Sequence, residues 1–413
     1  MHSGVAPVAF SRRARVRVLA CLTILAAGAL ALSCGHPGGE PVGKTASTPG
    51  SSGAGGRGAG HHPPSTAGPD YMAYVTSTRT NQIIPVDLAD GRAGKPIAVG
   101  PAPMDLAITP DGRMAYVADS GWSSPPVDSY DVTPVELPSG RALAPIRTGL
   151  GPFAVAITPD GKTAYVANMG SISGTGLLDM HDATTVTPID IATGRPLAPI
   201  QVGRGPGAIA ITPNGREAVV VLAGTIQHPA DDLVPIDLAT RRAGTPVPVG
   251  LAPQGVAVSP NGRWALAAIT GWPHYPGYPE YRIQDTVVPV DLKDGKVGKP
   301  ITVGTVPLPI VVAPHGKWAY VGFEASAVGR DQSGITPVDL ATGTPSKPIM
   351  LPGAPLGLAI TPGGHWLCAA VQGPINGVVL INLRDGSVGK LVPAGREVDG
   401  VAIDPVPLSG LRS

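Results

Sequence analysis

The sequence predicts an all-β protein: a seven-bladed β-propeller of four-stranded blades, closed by the C-terminal strand completing the N-terminal blade. Three observations predict it. A segment typified by AITPDGKTAYVANM, residues 156–169, recurs along the chain. Each recurrence sits in a unit of about fifty residues holding four short apolar stretches, the sequence signature of radial repetition. The first unit opens at its second stretch, and the missing first stretch stands at the far end, as Val401–Asp404.

The register is marked by Pro110, Pro159, Pro213, Pro260, Pro314, Pro362 and Pro405. Three residues before each stands a small side chain: Ala107, Ala156, Ala210, Ala257, Val311, Ala359 and Ala402. Large aliphatic residues flank it, as in Val155 and Ile157. This alternation is a period-two strand with a narrow side and a wide side. The narrow side suits the innermost position, where the strands crowd near the axis. Pro159-Asp160-Gly161 then makes a tight turn, Pro presetting φ and Gly taking positive φ. The second strand is Ala164-Tyr165-Val166 in that unit and Ala115-Tyr116-Val117 in the one before. A variable insert leads to the third strand, marked Pro-Val-Asp-Leu at Pro85–Leu88, Pro289–Leu292 and Pro337–Leu340. The fourth strand is expected at Pro96–Val99, Pro199–Val202 and Pro300–Val303. An aspartate that repeats in most units, such as Asp87 or Asp190, reads as a turn-binding group rather than a catalytic one.

These residues resemble a known family. AYVTS, AYVAD and AYVAN, paired with TPDG, look like the YVTN-type seven-bladed repeat of bacterial exported proteins, and the resemblance spans residues 71–405. It implies the fold. More distantly it implies lactonase-like or lyase-like relatives, alongside surface proteins with no known reaction.

Ahead of the repeats, residues 1–33 read as an export signal. Arg12, Arg13, Arg15 and Arg17 precede an apolar run, residues 18–33, that is short for a membrane span. Leu30-Ala31-Leu32-Ser33-Cys34 resembles a lipobox, so Cys34 is the expected lipidated residue. Cleavage with free secretion is the alternative. Residues 34–70 follow as a Gly/Pro/Ser tether with few large apolar side chains to offset ordering entropy. The propeller spans 71–405, and 406–413 is a tail. The expected location is the extracytoplasmic side of the cell membrane, with the membrane as partner through a lipid anchor.

Composition excludes some functions. Lys+Arg number 30 against 29 Asp+Glu, and no basic cluster follows the first 20 residues, so no nucleic-acid partner is expected. Of Cys21, Cys34 and Cys368, no pair has metal-site or redox spacing. There is no His-Glu-x-x-His, no Gly-x-Ser-x-Gly and no phosphate-cradling loop. No catalytic residue and no cofactor are assigned, and a monomer is expected.

Variable second-to-third loops on a rigid scaffold are where binding resides. They hold Trp122, Tyr130, Trp272, Tyr275, Tyr278 and Tyr281, which offer a face suited to a glycan, peptide or protein ligand. The competing reading is that the rings pack the loops onto the blades. His181, His228 and His274 come from consecutive units and are weak metal candidates, scattered solvated histidines being the better reading. At the channel mouth, Asp105, Gln254, Glu397 and Asp399 are the acids and amides, and Asp105 with Asp399 could form a two-carboxylate site. The function expected is binding or scaffolding at the cell envelope. The alternative is a lactonase-like or lyase-like enzyme using the channel mouth.

Overall fold

A computed structural model describes residues 68–122, 127–171, 181–225, 228–271, 282–324 and 332–411. Seven antiparallel sheets form the seven blades of a β-propeller. Blade 1 takes Val398–Ile403 as its innermost strand, then Met72–Ser77 and Gln82–Asp87. The closing register sets Ala73 opposite Ile403, Tyr74 opposite Ala402 and Val75 opposite Val401. Blades 2 to 7 begin in sequence order with Pro103–Ile108, Pro152–Ile157, Pro206–Ile211, Pro253–Val258, Pro307–Val312 and Ala354–Ile360.

The core lies between blades. Seven apolar clusters each join two neighbours. In every one, the small residue of one innermost strand faces the large aliphatic pair of the next. Ala107 meets Val155 and Ile157, Ala156 meets Ile209 and Ile211, and Ala359 meets Val401 and Ile403. The alternation therefore has a more specific cause than crowding at the axis. It is a knob-and-socket match carried around the ring, including across the closure, where Ala402 meets Leu106 and Ile108.

The fourth strand departs from the sequence expectation. It is split into two short pieces pairing with the same third strand, such as Arg92–Ala93 and Ile97–Ala98 against Gln82–Asp87. The repeated proline fits this break without causing it, since blade 7 breaks the same way at Leu380. Pro85 O accepts the Gly94 N–H at 2.7 Å, so the missing Pro85 donor also points at the fourth strand, where the ladder breaks. Pro188, Pro235 and Pro289 repeat the same 2.7 Å bond. Two second-to-third loops are also shorter than the sequence suggests. Strands Thr163–Ser171 and His181–Asp190 continue past a bulge at Asn168/Gly170, and Trp264–Gly271 with Ile283–Asp291 does likewise at Ile269/Gly271.

The repeated aspartates are structural, as their recurrence suggests. Asp87 Oδ1 accepts the Ala89 and Asp90 N–H groups at 2.9 and 3.1 Å, and Asp190 Oδ1 accepts from Thr193 N–H at 2.8 Å. The first-to-second and third-to-fourth turns share one face, here the turn face. The opposite, mouth face carries the fourth-to-first and second-to-third loops, which bond to each other: Ser120 N–H to Ala102 O and Met169 N–H to Gly151 O.

Candidate functional site: the channel mouth

The fourth-to-first loops deliver one homologous residue from each blade to the mouth. In ring order these are Asp399, Met104, Phe153, Gly207, Gln254, Leu308 and Leu356. The next residue inward is small or rigid in six blades: Gly400, Ala154, Ala208, Gly255, Pro309 and Gly357. Only blade 2 places a long polar group there, Asp105. Together they enclose a cavity of about 210 Å³. The glycines are forced by close strand approach. A Cβ on Gly255 would stand 1.9 Å from Leu308 O, and one on Gly357 would stand 2.3 Å from Asp399 O.

Asp105 and Asp399 come from the neighbouring innermost strands of blades 2 and 1 and line the same cavity. The backbone of Gly400 abuts Asp105, whose Oδ1 would lie 3.2 Å from a Cβ on that glycine. Asp105 Oδ2 accepts the Val155 N–H at 3.0 Å, and the carboxyl is enclosed by the channel wall while still reached from the lumen. Burial raises its pKa to about 6, against the lowering pull of the Val155 and Leu106 amides. Asp399 is 5% exposed, and burial raises it to about 8, with the charge of Glu397 adding and the Thr78 hydroxyl opposing.

Thr78 Oγ1 contacts both Pro103 O, at 3.1 Å, and Asp399 Oδ2. A hydroxyl has one proton, so Thr78 donates to one of these acceptors at a time, and its bond to Asp399 favours the ionised carboxylate. Glu397 stands beside them in a left-handed conformation, φ 54°, and pairs with Arg79 at 2.7 Å. Across the mouth, Gln254 Oε1 is buried and has no hydrogen-bond partner.

The loop aromatics divide. Trp122 is 1% exposed, its indole N–H donates to Gly170 O at 2.8 Å, and its ring lies 5.3 Å from Phe153. With Met169 and Ala223 it forms an apolar plug over blades 2 to 4, so this ring packs the loop rather than being displayed. Tyr130 is half-buried beneath the Arg147 guanidinium, 4.4 Å from the ring centre. Trp272, Tyr275, Tyr278, Tyr281 and His274 lie outside the described residues, as does Cys34. His181 opens its strand opposite Ser171, but its side chain is outside the described set. His228 is exposed, and its backbone forms a turn with Thr225. Among the described residues, no group of three or more His, Cys, Asp or Glu side chains is placed to hold a metal.

Sequence reasoning missed Thr78 as the partner of Asp399. The two stand 321 positions apart, and only the ring closure joins them. It also missed the buried carboxyl Asp119, which lies 0% exposed at the mouth-side end of its strand.

No family model and no curated protein match the chain. Solved structures do. The periplasmic gluconolactonase of Pseudomonas aeruginosa superposes with a TM-score of 0.60 at 20% identity, covering 82% of this chain and 99% of that one. A functionally unknown protein from Desulfotomaculum acetoxidans gives 0.63 at 17%, covering 80% and 98%. Hydrazine synthase of Kuenenia stuttgartiensis gives 0.59 at 20%, covering 74% and 90%. At these identities the likeness is one of fold.

Proposed function

We propose that this protein is an exported β-propeller of the cell envelope that binds a small polar ligand, or the polar tip of a larger one, at its channel mouth. One observation carries the reading. Asp399, Asp105 and Gln254, from blades 1, 2 and 5, converge on one cavity whose remaining lining is small or apolar. A few polar groups in an apolar concavity are the usual composition of a ligand site. At about 210 Å³ the cavity suits a group of few atoms. The loop aromatics Tyr130, Trp272, Tyr275, Tyr278 and Tyr281 would extend that contact to a glycan or peptide. Export and anchoring at Cys34 rest on the N-terminal signal, and the periplasmic relative by fold is in keeping with export. The test is calorimetric screening of the full chain against glycan and peptide panels, repeated with Asp399→Asn and Gln254→Ala. A ligand whose affinity neither substitution alters sinks the channel-mouth reading.

The second reading is lactone hydrolysis, favoured by two carboxyls on one cavity with unequal raised pKa values. Asp105, largely ionised at neutral pH, would take the proton of an attacking water. Asp399, protonated, would donate to the departing alkoxide. The fold likeness to a gluconolactonase supports it. Lactone opening followed by pH-stat, lost in Asp105→Asn and Asp399→Asn alike, would establish it. Wild-type rates no higher than buffer would end it.

A further inference from the structure

We propose that the turn face, opposite the channel mouth, is a docking surface for an anionic lipid bilayer. Four observations meet there. The residue after the first-to-second turn glycine is an exposed cation in five consecutive blades: Arg113, Lys162, Arg216, Arg263 and Lys317. A second, wider ring of Arg or Lys follows the third-to-fourth turns of blades 1 to 5, from Arg92 to Lys296.

The carboxylates of this face balance much of that charge in number but not in reach. Asp111 Oδ1 is held by Thr109 Oγ1 at 2.6 Å and the Arg113 N–H at 3.1 Å; Asp160 repeats these bonds but also pairs with Lys162 at 3.4 Å, as Glu136 pairs with Arg141 at 2.6 Å. Asp190 and Asp237 are bent onto their own turn amides, and those hydrogen bonds keep them ionised and folded back. Asp291, 5% exposed, is shared with Arg263 at 2.9 Å. Arg and Lys heads stand on longer stems that run along the sheet edge, with Arg263 and Lys317 crossing Trp264 and Trp318 at 5.2 and 5.5 Å. A flat surface approaching this face therefore meets exposed Arg and Lys heads on long stems.

The fourth observation is where the chain enters. Gly68 N–H bonds to Ala89 O in a turn of blade 1, so residues before Gly68 reach the propeller on this face. Asp70 beside it receives the Leu408 and Ser409 amides. An anchor at Cys34 would thus draw in the turn face and leave the mouth face outward. Juxtamembrane Lys and Arg gain energy only within about a Debye length of an anionic surface; a Gly/Pro/Ser tether over 34–67 would hold the propeller within roughly 30–35 Å of it, and the cations would make the final approach.

The test uses a chain beginning at Gly68, which carries every strand of the closed ring and no anchor. It is co-sedimented with vesicles of phosphatidylcholine, alone or mixed with phosphatidylglycerol, at low and high salt. Partitioning onto the mixed vesicles should exceed that onto neutral ones by about tenfold and vanish at high salt. The combined Arg113→Gln, Lys162→Gln, Arg216→Gln, Arg263→Gln and Lys317→Gln variant should lose that preference while its circular dichroism spectrum stays that of the folded parent. Arg147→Gln with Arg396→Gln, on the mouth face, should keep it. No partitioning, equal partitioning onto both vesicles, or a five-site variant that behaves as the parent overturns the proposal.

Discussion

Asp119 and Asn168 occupy the same position in adjacent blades, yet only Asn168 has all its polar atoms bonded. Asn168 Oδ1 accepts the Gly149 N–H at 3.1 Å, and its Nδ2 donates to Thr185 and Thr187 hydroxyls at 3.1 and 3.0 Å. Asp119 takes the Thr133 hydroxyl at 2.6 Å, leaves Oδ1 unpartnered, and stands opposite Asp131 in the ladder. Burial raises its pKa to about 8, the Asp131 charge adding to the effect. Replacing it with the residue its neighbour blade uses should therefore stabilise the protein at neutral pH. An unsatisfied buried group typically costs about 1–3 kcal/mol. Urea unfolding of Asp119→Asn at pH 7 should move to higher denaturant by a corresponding amount, and an unchanged or lower midpoint would refute this.

The pH dependence has a definite sign. Unfolded, Asp119 and Asp399 ionise near 3.8, whereas folded they hold their protons to about 8. Unfolding between those values releases protons, so stability falls as pH rises from about 4 to about 8. Asp105, with a folded value of about 6, adds to the lower part of that range. Melting temperature measured across it should decline for the parent and decline less for Asp119→Asn. A parent curve that rises over the same range would show these carboxyls to be ionised in the fold.

Thr78→Val separates the two roles of its hydroxyl. The substitution keeps the shape of the buried side chain and removes the bonds to Pro103 O and Asp399. We expect a loss of about 1–3 kcal/mol and an upward move of the Asp399 titration followed by carboxyl carbon NMR. A downward move would mean that Thr78 does not assist the ionised form.

Gly255→Ala should be among the costly small substitutions. Its added methyl meets the backbone oxygen of Leu308 at 1.9 Å, so the innermost strands of blades 5 and 6 must separate. Overpacking of this kind costs roughly 1–3 kcal/mol. A melting temperature equal to that of the parent would mean that the inner strands are free to shift.

Trp122→Phe tests whether that ring belongs to the scaffold. It forfeits the bond to Gly170 O while keeping most of the contact with Phe153. Stability should drop by about 1 kcal/mol, while affinity for any mouth ligand stays level. A selective loss of affinity would return Trp122 to the binding surface.

The ring was legible because its cause is local and repeated. The small residue flanked by large ones, the TPDG turn and the Pro-Val-Asp-Leu strand each act within their own hairpin. The repeat also separated structural aspartates from candidate ones, since Asp87 and Asp190 hold turns while Asp105 and Asp399 have no counterparts in the other blades. The broken fourth strand was not legible, because the same gap appears at Pro85 and at Leu380 and so has no single residue as its mark. The meeting of Thr78 with Asp399 is set by three-dimensional closure alone. The burial of Trp122 depends on Met169 and Ala223, from two other blades.

The seam that closes the ring also sets when the protein can fold. Thr76 accepts the Gly400 N–H and touches Met104 O, contacts separated by 324 and 28 positions. Until the distant strand arrives, blade 1 lacks its inner edge and the circular stack of apolar faces stays open. Contacts of such sequence separation form slowly. A nascent chain emerging from the ribosome would therefore remain unlocked throughout most of its synthesis. On the export route proposed above, the late-arriving strand would act as a timer, deferring the locked state until passage is complete.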